Sequence, residues 1–334
     1  MSLEIIRDLW YGKRHLPADT KPDFTGRTLL ITGANTGLGF EAAVKFVQLG
    51  AAKVILGVRT VSKGEDAKVR IEQITGRKNV LEVWHVDMLD YESIKNFASR
   101  VDKELERLDM AVLNAGVVMA SFQESKYGWE KTLQVNVLST SLLALLLLPK
   151  LRASKSDEFT PVLELISSGT HETLHKLRFD STEPLAAYNK RSNFRFFDQY
   201  ATSKLFLEYA HTGLAQLVTA PSGKPDVFVV SVCPGATKSE LGRDSKGFLA
   251  KIGMVLMGLL FQRTTEQGAR SYVSGLTLGE KGHGRFWQHD KIKEPAPLLT
   301  GAANESRQKI VWSEIVAALQ KDVPEVKKLI QTEL

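Results

Sequence analysis

Tyr200 and Lys204, in Tyr200-Ala201-Thr202-Ser203-Lys204, are the residues whose types and spacing point most directly to chemistry. Four positions apart, they stack one above the other on a helix face. A cation beside a phenol favours the phenolate and can bring a group that ordinarily titrates near ~10 toward neutral pH. The pair is a candidate proton donor for making an alcohol from a carbonyl. Solvated helix surfaces carry the same spacing without any such role, so the reading turns on the elements that would place the pair.

The first of these is upstream. Thr28 to Ile31 is an apolar run that reads as a buried parallel strand, followed by glycines at 33, 37 and 39 and by an amphipathic helix, Glu41 to Leu49, closed by Gly50. Strand, glycine turn and helix N-terminus make a phosphate site: free N–H groups and the helix dipole face the anion, and absent side chains let the backbone approach. The spacing is G-x-x-x-G-x-G. Lys53 to Val58 is the next strand. A carboxylate near its end would take the ribose 2′-hydroxyl of NAD, but the chain continues Arg59-Thr60, with Lys63 beyond. A planar guanidinium suits a 2′-phosphate, so the expected cofactor is NADP(H).

With these motifs in order, the chain resembles an NADP-preferring short-chain dehydrogenase/reductase over about residues 24 to 280. Thr32 to Gly39 is similar to the family's cofactor turn, with Gly33, Asn35, Thr36, Gly37, Leu38 and Gly39 as its cofactor-binding positions. Asp87 matches the acid that contacts the adenine. Asn114, Ala115 and Gly116 match the N-N-A-G motif, with Leu113 replacing its first asparagine. Asn136, Ser168, Tyr200 and Lys204 match the catalytic tetrad, and Pro234, Gly235 and Thr237 match the P-G motif against the nicotinamide.

The resemblance implies a doubly wound α/β fold of Rossmann type and a mechanism. NADPH would deliver hydride to a carbonyl carbon and Tyr200 would protonate the developing alkoxide. Ser168 would hydrogen-bond the same oxygen, with Ser167 as the competing serine. Lys204 would depress the tyrosine pKa and bind the nicotinamide ribose, and Asn136 would hold a relay water. The expected activity is NADPH-dependent reduction of a ketone or aldehyde, or the reverse alcohol oxidation. A non-redox isomerase or cyclase, or an NADP(H)-sensing protein, is the alternative on the same scaffold.

The gap from Ser168 to Tyr200 is long for the family, about thirty residues, and its polar sequence shows no helical period. An insertion here would sit at the mouth of the site, shaping access or blocking a dimer face. It contains His171-Glu172-Thr173-Leu174-His175, which matches the zinc-protease pattern letter for letter. That chemistry wants both histidines on one face of a helix and a third ligand. No long amphipathic helix surrounds the motif, so it reads as loop and no metal is expected.

The chain has 334 residues, 43% hydrophobic and 25% charged, with a net charge of +6. Strand and helix patterns alternate to Val232 without a linker break, so we read one domain: an extension over 1–23, a catalytic domain over 24–280 with a lid at about 238–262, and a C-terminal extension over 281–334. The basic residues are spread along helices without an arginine-rich block, which speaks against a nucleic-acid partner. The single cysteine, Cys233, excludes an intrachain disulfide, suits a reducing compartment and reads as a small buried hydrophobe. Met1 to Pro17 carries five charged residues and no uninterrupted apolar stretch, so it reads as a short helix packed on the domain, in a cytoplasmic protein.

Two apolar stretches bear on partners. Leu142 to Leu148, ending at Pro149, is too short to span a bilayer and reads as core or dimer face, leaving a monomer or homodimer open and membrane contact outside the reading. Phe248 to Phe261 is rich in leucine and methionine where relatives place a substrate lid. Such a lid suits a greasy small-molecule substrate, because methionine adapts to irregular shapes, and simple core packing is the competing reading of the same stretch. Gly284 to Gln288 reads as loop, and Glu305 to Leu319 as a helix. This terminal arrangement resembles fungal and retinol-dehydrogenase-like members, which implies a bulky apolar carbonyl of the polyketide or terpenoid kind, as in secondary metabolism.

Overall fold

The computed structural model describes residues 3–179, 181–238 and 262–331. The chain opens with α1 (Leu3–Arg14), then alternates β1 (Thr28–Thr32), α2 (Gly37–Gln48), β2 (Lys53–Val58), α3 (Val61–Thr75), β3 (Leu81–His85), α4 (Tyr91–Glu104) and β4 (Met110–Leu113). A long helix α5 (Lys131–Ala153), β5 (Val162–Ile166), α6 (Pro184–Tyr188), α7 (Phe196–Leu217) and β6 (Phe228–Cys233) follow. The chain closes with α8 (Thr265–Gly275), β7 (Phe286–Gln288), β8 (Lys291–Ile292), α9 (Ala302–Asp322) and α10 (Val326–Gln331).

The strands form one sheet in the order β3-β2-β1-β4-β5-β6-β7-β8, parallel except for β8. The order reverses between β1 and β4, and a doubly wound sheet opens its binding crevice at the carboxyl ends of the strands there. The central strands β1 and β5 are buried along their whole length, Glu164 in β5 included. Alternate residues serve two cores. Leu30, Ala111, Leu163 and Leu165 pack with the leucines of α5 and with α7, while Leu29, Ile31, Val112 and Val230 pack with α2 and α8. The result is a single α/β domain of Rossmann type.

The apolar Leu142–Leu148 run is core. Its helix continues through Pro149 to Ala153, and 89% of its most apolar stretch is buried within the fold. Among the described residues this is the one helix long and apolar enough to cross a membrane.

Two sequence expectations are corrected. Gly284 to Gln288 is not all loop. Phe286–Gln288 is a seventh strand in register with Ser231–Cys233, joined to β8 through His289 and Asp290, both at positive φ (54° and 55°), as a two-residue hairpin turn requires. The sheet therefore continues beyond residue 280. The stretch after Ser168 is also more structured than its missing period suggests, with a one-turn 3₁₀ segment over Gly169–Thr173, then α6 and a second 3₁₀ turn at Arg191–Asn193. These elements are too short to show periodicity and are held by distant partners. Glu314 on α9 accepts from Leu185 N (2.9 Å) and Ala186 N (3.1 Å), capping α6, and Asn189 takes Glu130 N (2.7 Å).

Candidate active site

Thr32 ends β1, and Gly33 turns the chain at φ +68° while its N–H donates to Gly57 O on β2 (2.8 Å). Gly39 has no room for a side chain: a Cβ there would lie 2.5 Å from Gly33 O and 2.7 Å from Asn114 Nδ2. Gly37, at φ +62°, opens α2 with nothing within 4 Å of its missing Cβ. Thr36 precedes the helix without a side-chain capping bond, so the first N–H groups of α2 stay available to an anion. Asn35 is half-buried in the turn, and Leu38 packs beneath it, its Cδ2 2.7 Å from where a Gly268 Cβ would stand. A close-approach turn with an uncapped helix end fits a dinucleotide pyrophosphate.

Asn114 braces this turn from β4. Its Nδ2 donates to Thr32 O (2.8 Å), its own N–H and that of Ala115 reach Thr32 Oγ1 (both 3.0 Å), and its Oδ1 accepts from Tyr272 on α8 (2.8 Å). A Cβ on Gly33 would stand 3.2 Å from Ala115 Cα, and one on Gly116 would stand 4.0 Å from Lys204 Nζ. The Asn114-Ala115-Gly116 segment thus spans the short distance between the glycine turn and Lys204.

Arg59 and Lys63 are exposed just past β2, one strand over from the turn, and neither has a partner among the described residues. Asp87 lies two residues beyond β3, half-buried, with Oδ1 accepting from Leu89 N (2.9 Å).

Asn136 sits in a π-helical segment, Gln134–Ser139, within α5. Its Oδ1 accepts from Val117 N (2.9 Å), and its Nδ2 donates to Val117 O (3.0 Å) and to Ser203 Oγ (3.1 Å). Ser203 passes its own proton to Tyr200 O (2.7 Å), so Asn136 ties the loop after β4 to the helix carrying Tyr200 and Lys204.

Tyr200 and Lys204 lie in α7, with Nζ 5.9 Å from the phenol ring centroid and donating to Ile166 O at the end of β5 (2.8 Å). Two residues past Ile166, Ser168 begins the 3₁₀ turn. Its Oγ takes Thr170 Oγ1 (3.1 Å), and it neighbours the Tyr200 phenol. Ser167, the competing serine, is buried, and its hydroxyl has no partner among the described residues.

The electrostatics correct one expectation. The phenol is not drawn toward neutral pH. Burial pushes Tyr200 up to about 12, opposed by the neighbouring Ser168 hydroxyl. The same burial pulls the Lys204 ammonium down to about 8, with Glu208 opposing. Desolvation dominates at both groups, and the Lys204 ammonium donates to Ile166 O.

Past β6, the buried Cys233 thiol accepts from Gly169 N (3.2 Å) and Gly235 N (3.4 Å), and burial pushes it up to about 11, so it stays a thiol. Gly235 turns at φ +75°, and Thr237 pairs with Arg263. The expected lid at about 238–262, with Phe248 to Phe261, lies outside the described residues over 239–261. His171 is buried with Nδ1 on Ser168 O (2.8 Å), while His175 is exposed beyond the end of the 3₁₀ turn, so the two share no helix face. Ser203 and Tyr272 were missed by sequence reasoning. Ser203 was visible inside the Tyr200–Lys204 motif, whereas Tyr272 depends on tertiary packing and leaves no local signal.

The profile of the short chain dehydrogenase family matches residues 27–159. The short-chain dehydrogenase/reductase ffsI of Aspergillus flavipes is 40% identical over 328 residues, covering 96% of this chain and 94% of that protein. The short-chain dehydrogenase/reductase phmF of Phaeosphaeria nodorum is also 40% identical, over 324 residues, with 96% and 94% covered. Among solved structures, a Pseudomonas aeruginosa RhlG/NADP active-site complex shares the fold at a TM-score of 0.58 and 22% identity, over 79% of this chain and 94% of that one. Sheet order, glycine turn and near-full-length fungal relatives agree: this chain belongs to the short-chain dehydrogenase/reductase family, oxidoreductases that use a nicotinamide dinucleotide on small molecules.

Proposed function

We propose that this protein is an NADPH-dependent reductase of a ketone or aldehyde on a hydrophobic small molecule, with Tyr200 as the proton donor. One observation carries the reading. Ser168 neighbours the Tyr200 phenol, Lys204 lies on the same helix face, and all three stand at the carboxyl ends of the central strands beside a phosphate-ready glycine turn. When bound, the nicotinamide supplies the hydride for the carbonyl carbon. Tyr200, held neutral by burial, gives its proton to the oxygen of that carbonyl as negative charge develops there, and Ser168 holds the same oxygen in place. Lys204, anchored on Ile166, presents a cation behind the phenol to stabilise the tyrosinate that the transfer leaves. Arg59 and Lys63 are the free cations that support choosing the 2′-phosphate form of the cofactor. The apolar composition of residues 248–261 supports a greasy substrate.

The test is loss of reduced-nicotinamide absorbance with a panel of hydrophobic ketones and aldehydes, wild type against Tyr200→Phe. Wild type should turn over and the variant should lose about 10²-fold or more. Undiminished turnover by the variant would remove Tyr200 from its role.

A further inference from the structure

Arg263 is almost completely buried (1% exposed), yet nothing in the proposed chemistry uses it. Its backbone joins the two sides of the 239–261 segment: Arg263 N donates to Ala236 O (2.8 Å), and Lys238 N to Arg263 O (3.0 Å). Its guanidinium reaches four acceptors from three separate parts of the chain. Nη1 donates to Pro234 O (3.2 Å), Nε to Gly12 O (2.7 Å), and Nη2 to His15 O (2.9 Å) and His289 Nδ1 (2.7 Å).

Each partner has a physical reason. The carbonyls of Gly12 and His15 belong to the C-terminal end of α1, where a helix has unsatisfied acceptors and the negative end of its dipole. Because His289 Nδ1 accepts from Arg263, its ring proton lies on Nε2, 3.6 Å from Asp8 Oδ1 on α1. His289 is also one of the two positive-φ residues in the β7–β8 turn, a conformation that non-glycine residues rarely adopt. The fork lies between two glycines. A Cβ on Gly235 would stand 2.8 Å from Nη1, and one on Gly12 would stand 2.7 Å from His289 Cε1 and 3.4 Å from Nη2. A planar five-donor group fits this slot. A lysine, a single point of charge with three donors, cannot reach four acceptors in three directions.

We propose that Arg263 is a positioning residue that clamps the C-terminal end of α1 and the β7–β8 turn onto the Cys233-Pro234-Gly235 turn, so that the N-terminal helix sets the shape of the nicotinamide end of the cleft. The inference rests on the proposed nicotinamide chemistry and on Pro234 and Gly235 lying against that ring, as the family resemblance implies. It makes α1, which precedes the span matched by the family profile, part of the working site.

Hydrogen exchange followed by mass spectrometry on the full chain tests it, with wild type, Arg263→Lys and Gly12→Ala. Without nucleotide, both variants should raise exchange together in residues 8–15, 233–237 and 286–292 by about tenfold, with β1, β4 and β5 unchanged. Residues 233–237 exchanging as slowly as in wild type would overturn the clamp. Gly12→Ala keeps Arg263 and only pushes a methyl into the slot, so it decides the matter should Arg263→Lys fail to fold. Adding NADP should slow exchange in residues 8–15 of wild type and not of Arg263→Lys; bound NADP leaving those residues unchanged in wild type would equally overturn it. Failure of wild type to bind NADP at all would strike the proposed function, while the nucleotide-free comparison would still decide the clamp.

Discussion

Tyr272 on α8 donates its hydroxyl to Asn114 Oδ1 at 2.8 Å, and Asn114 in turn holds both Thr32 O and Gly33 O. A helix on one face of the sheet thus steadies the glycine turn through one buried phenol. Tyr272→Phe should leave Asn114 Oδ1 without its donor, costing about 1–3 kcal/mol of stability and weakening dinucleotide binding several-fold. Thermal unfolding and nucleotide titration of the variant check both effects; a change in stability alone would mean that the brace does not reach the turn.

Arg59 stands free and exposed past β2, where Gly57 pairs with Thr32. Arg59→Ala should weaken NADPH binding by about tenfold or more and leave NADH within about twofold, because a charge-assisted fork to phosphate is worth roughly 1.5–3 kcal/mol. Equal losses for the two dinucleotides would refute a 2′-phosphate contact.

Burial lowers Lys204 from 10.5 to about 8, so at neutral pH the folded protein holds a buried ammonium at a cost of roughly 3 kcal/mol. With the folded value depressed, the unfolded chain binds more protons between pH 8 and 10.5, and stability attributable to this group rises across that window and is lost as pH falls through about 8. Lys204→Met should therefore be inactive yet more stable than wild type near neutrality, and its advantage should shrink as the buffer approaches pH 10.5. Denaturant titrations at matched pH measure the difference.

Glu164 on β5 is fully buried, and neither carboxyl oxygen has a partner among the described residues. Burial raises its carboxyl well above the ordinary 4.5, so the folded state keeps a proton that the unfolded chain releases. Stability from this group is complete below about 4.5 and declines as pH rises toward the folded value, with a slope of at most about 1.4 kcal/mol per pH unit. Glu164→Gln keeps the shape and cannot ionise. Its stability should exceed wild type by a margin that widens with pH above 4.5; a margin constant with pH would place the proton elsewhere.

Much of the site was legible because it is local. The glycine turn, Arg59, and the Tyr200–Lys204 pair each lie within a dozen residues of the strand or helix that carries them, and their spacing survives into the structure. What escaped depends on contacts distant in sequence. Phe286–Gln288 is too short to show alternation, and its hairpin turn is His289-Asp290, without the asparagine-glycine pair that advertises such turns. Tyr272 and Arg263 act on residues more than a hundred positions away. The sign of the Tyr200 shift was misjudged because the motif displays the neighbouring cation and hides the depth of burial, which prevails.

The eighth strand is two residues long and runs against its neighbour. That margin of the sheet offers too few open amides for another extended chain to zip onto it. The opposite margin, Leu81–His85, is the longer rail, and Lys53 bonded across to Glu82 (2.7 Å) sets charge along it. Self-association by strand addition is thus hindered at one border by brevity and at the other by ionic side chains, leaving helix faces as the surfaces through which copies of this enzyme would meet.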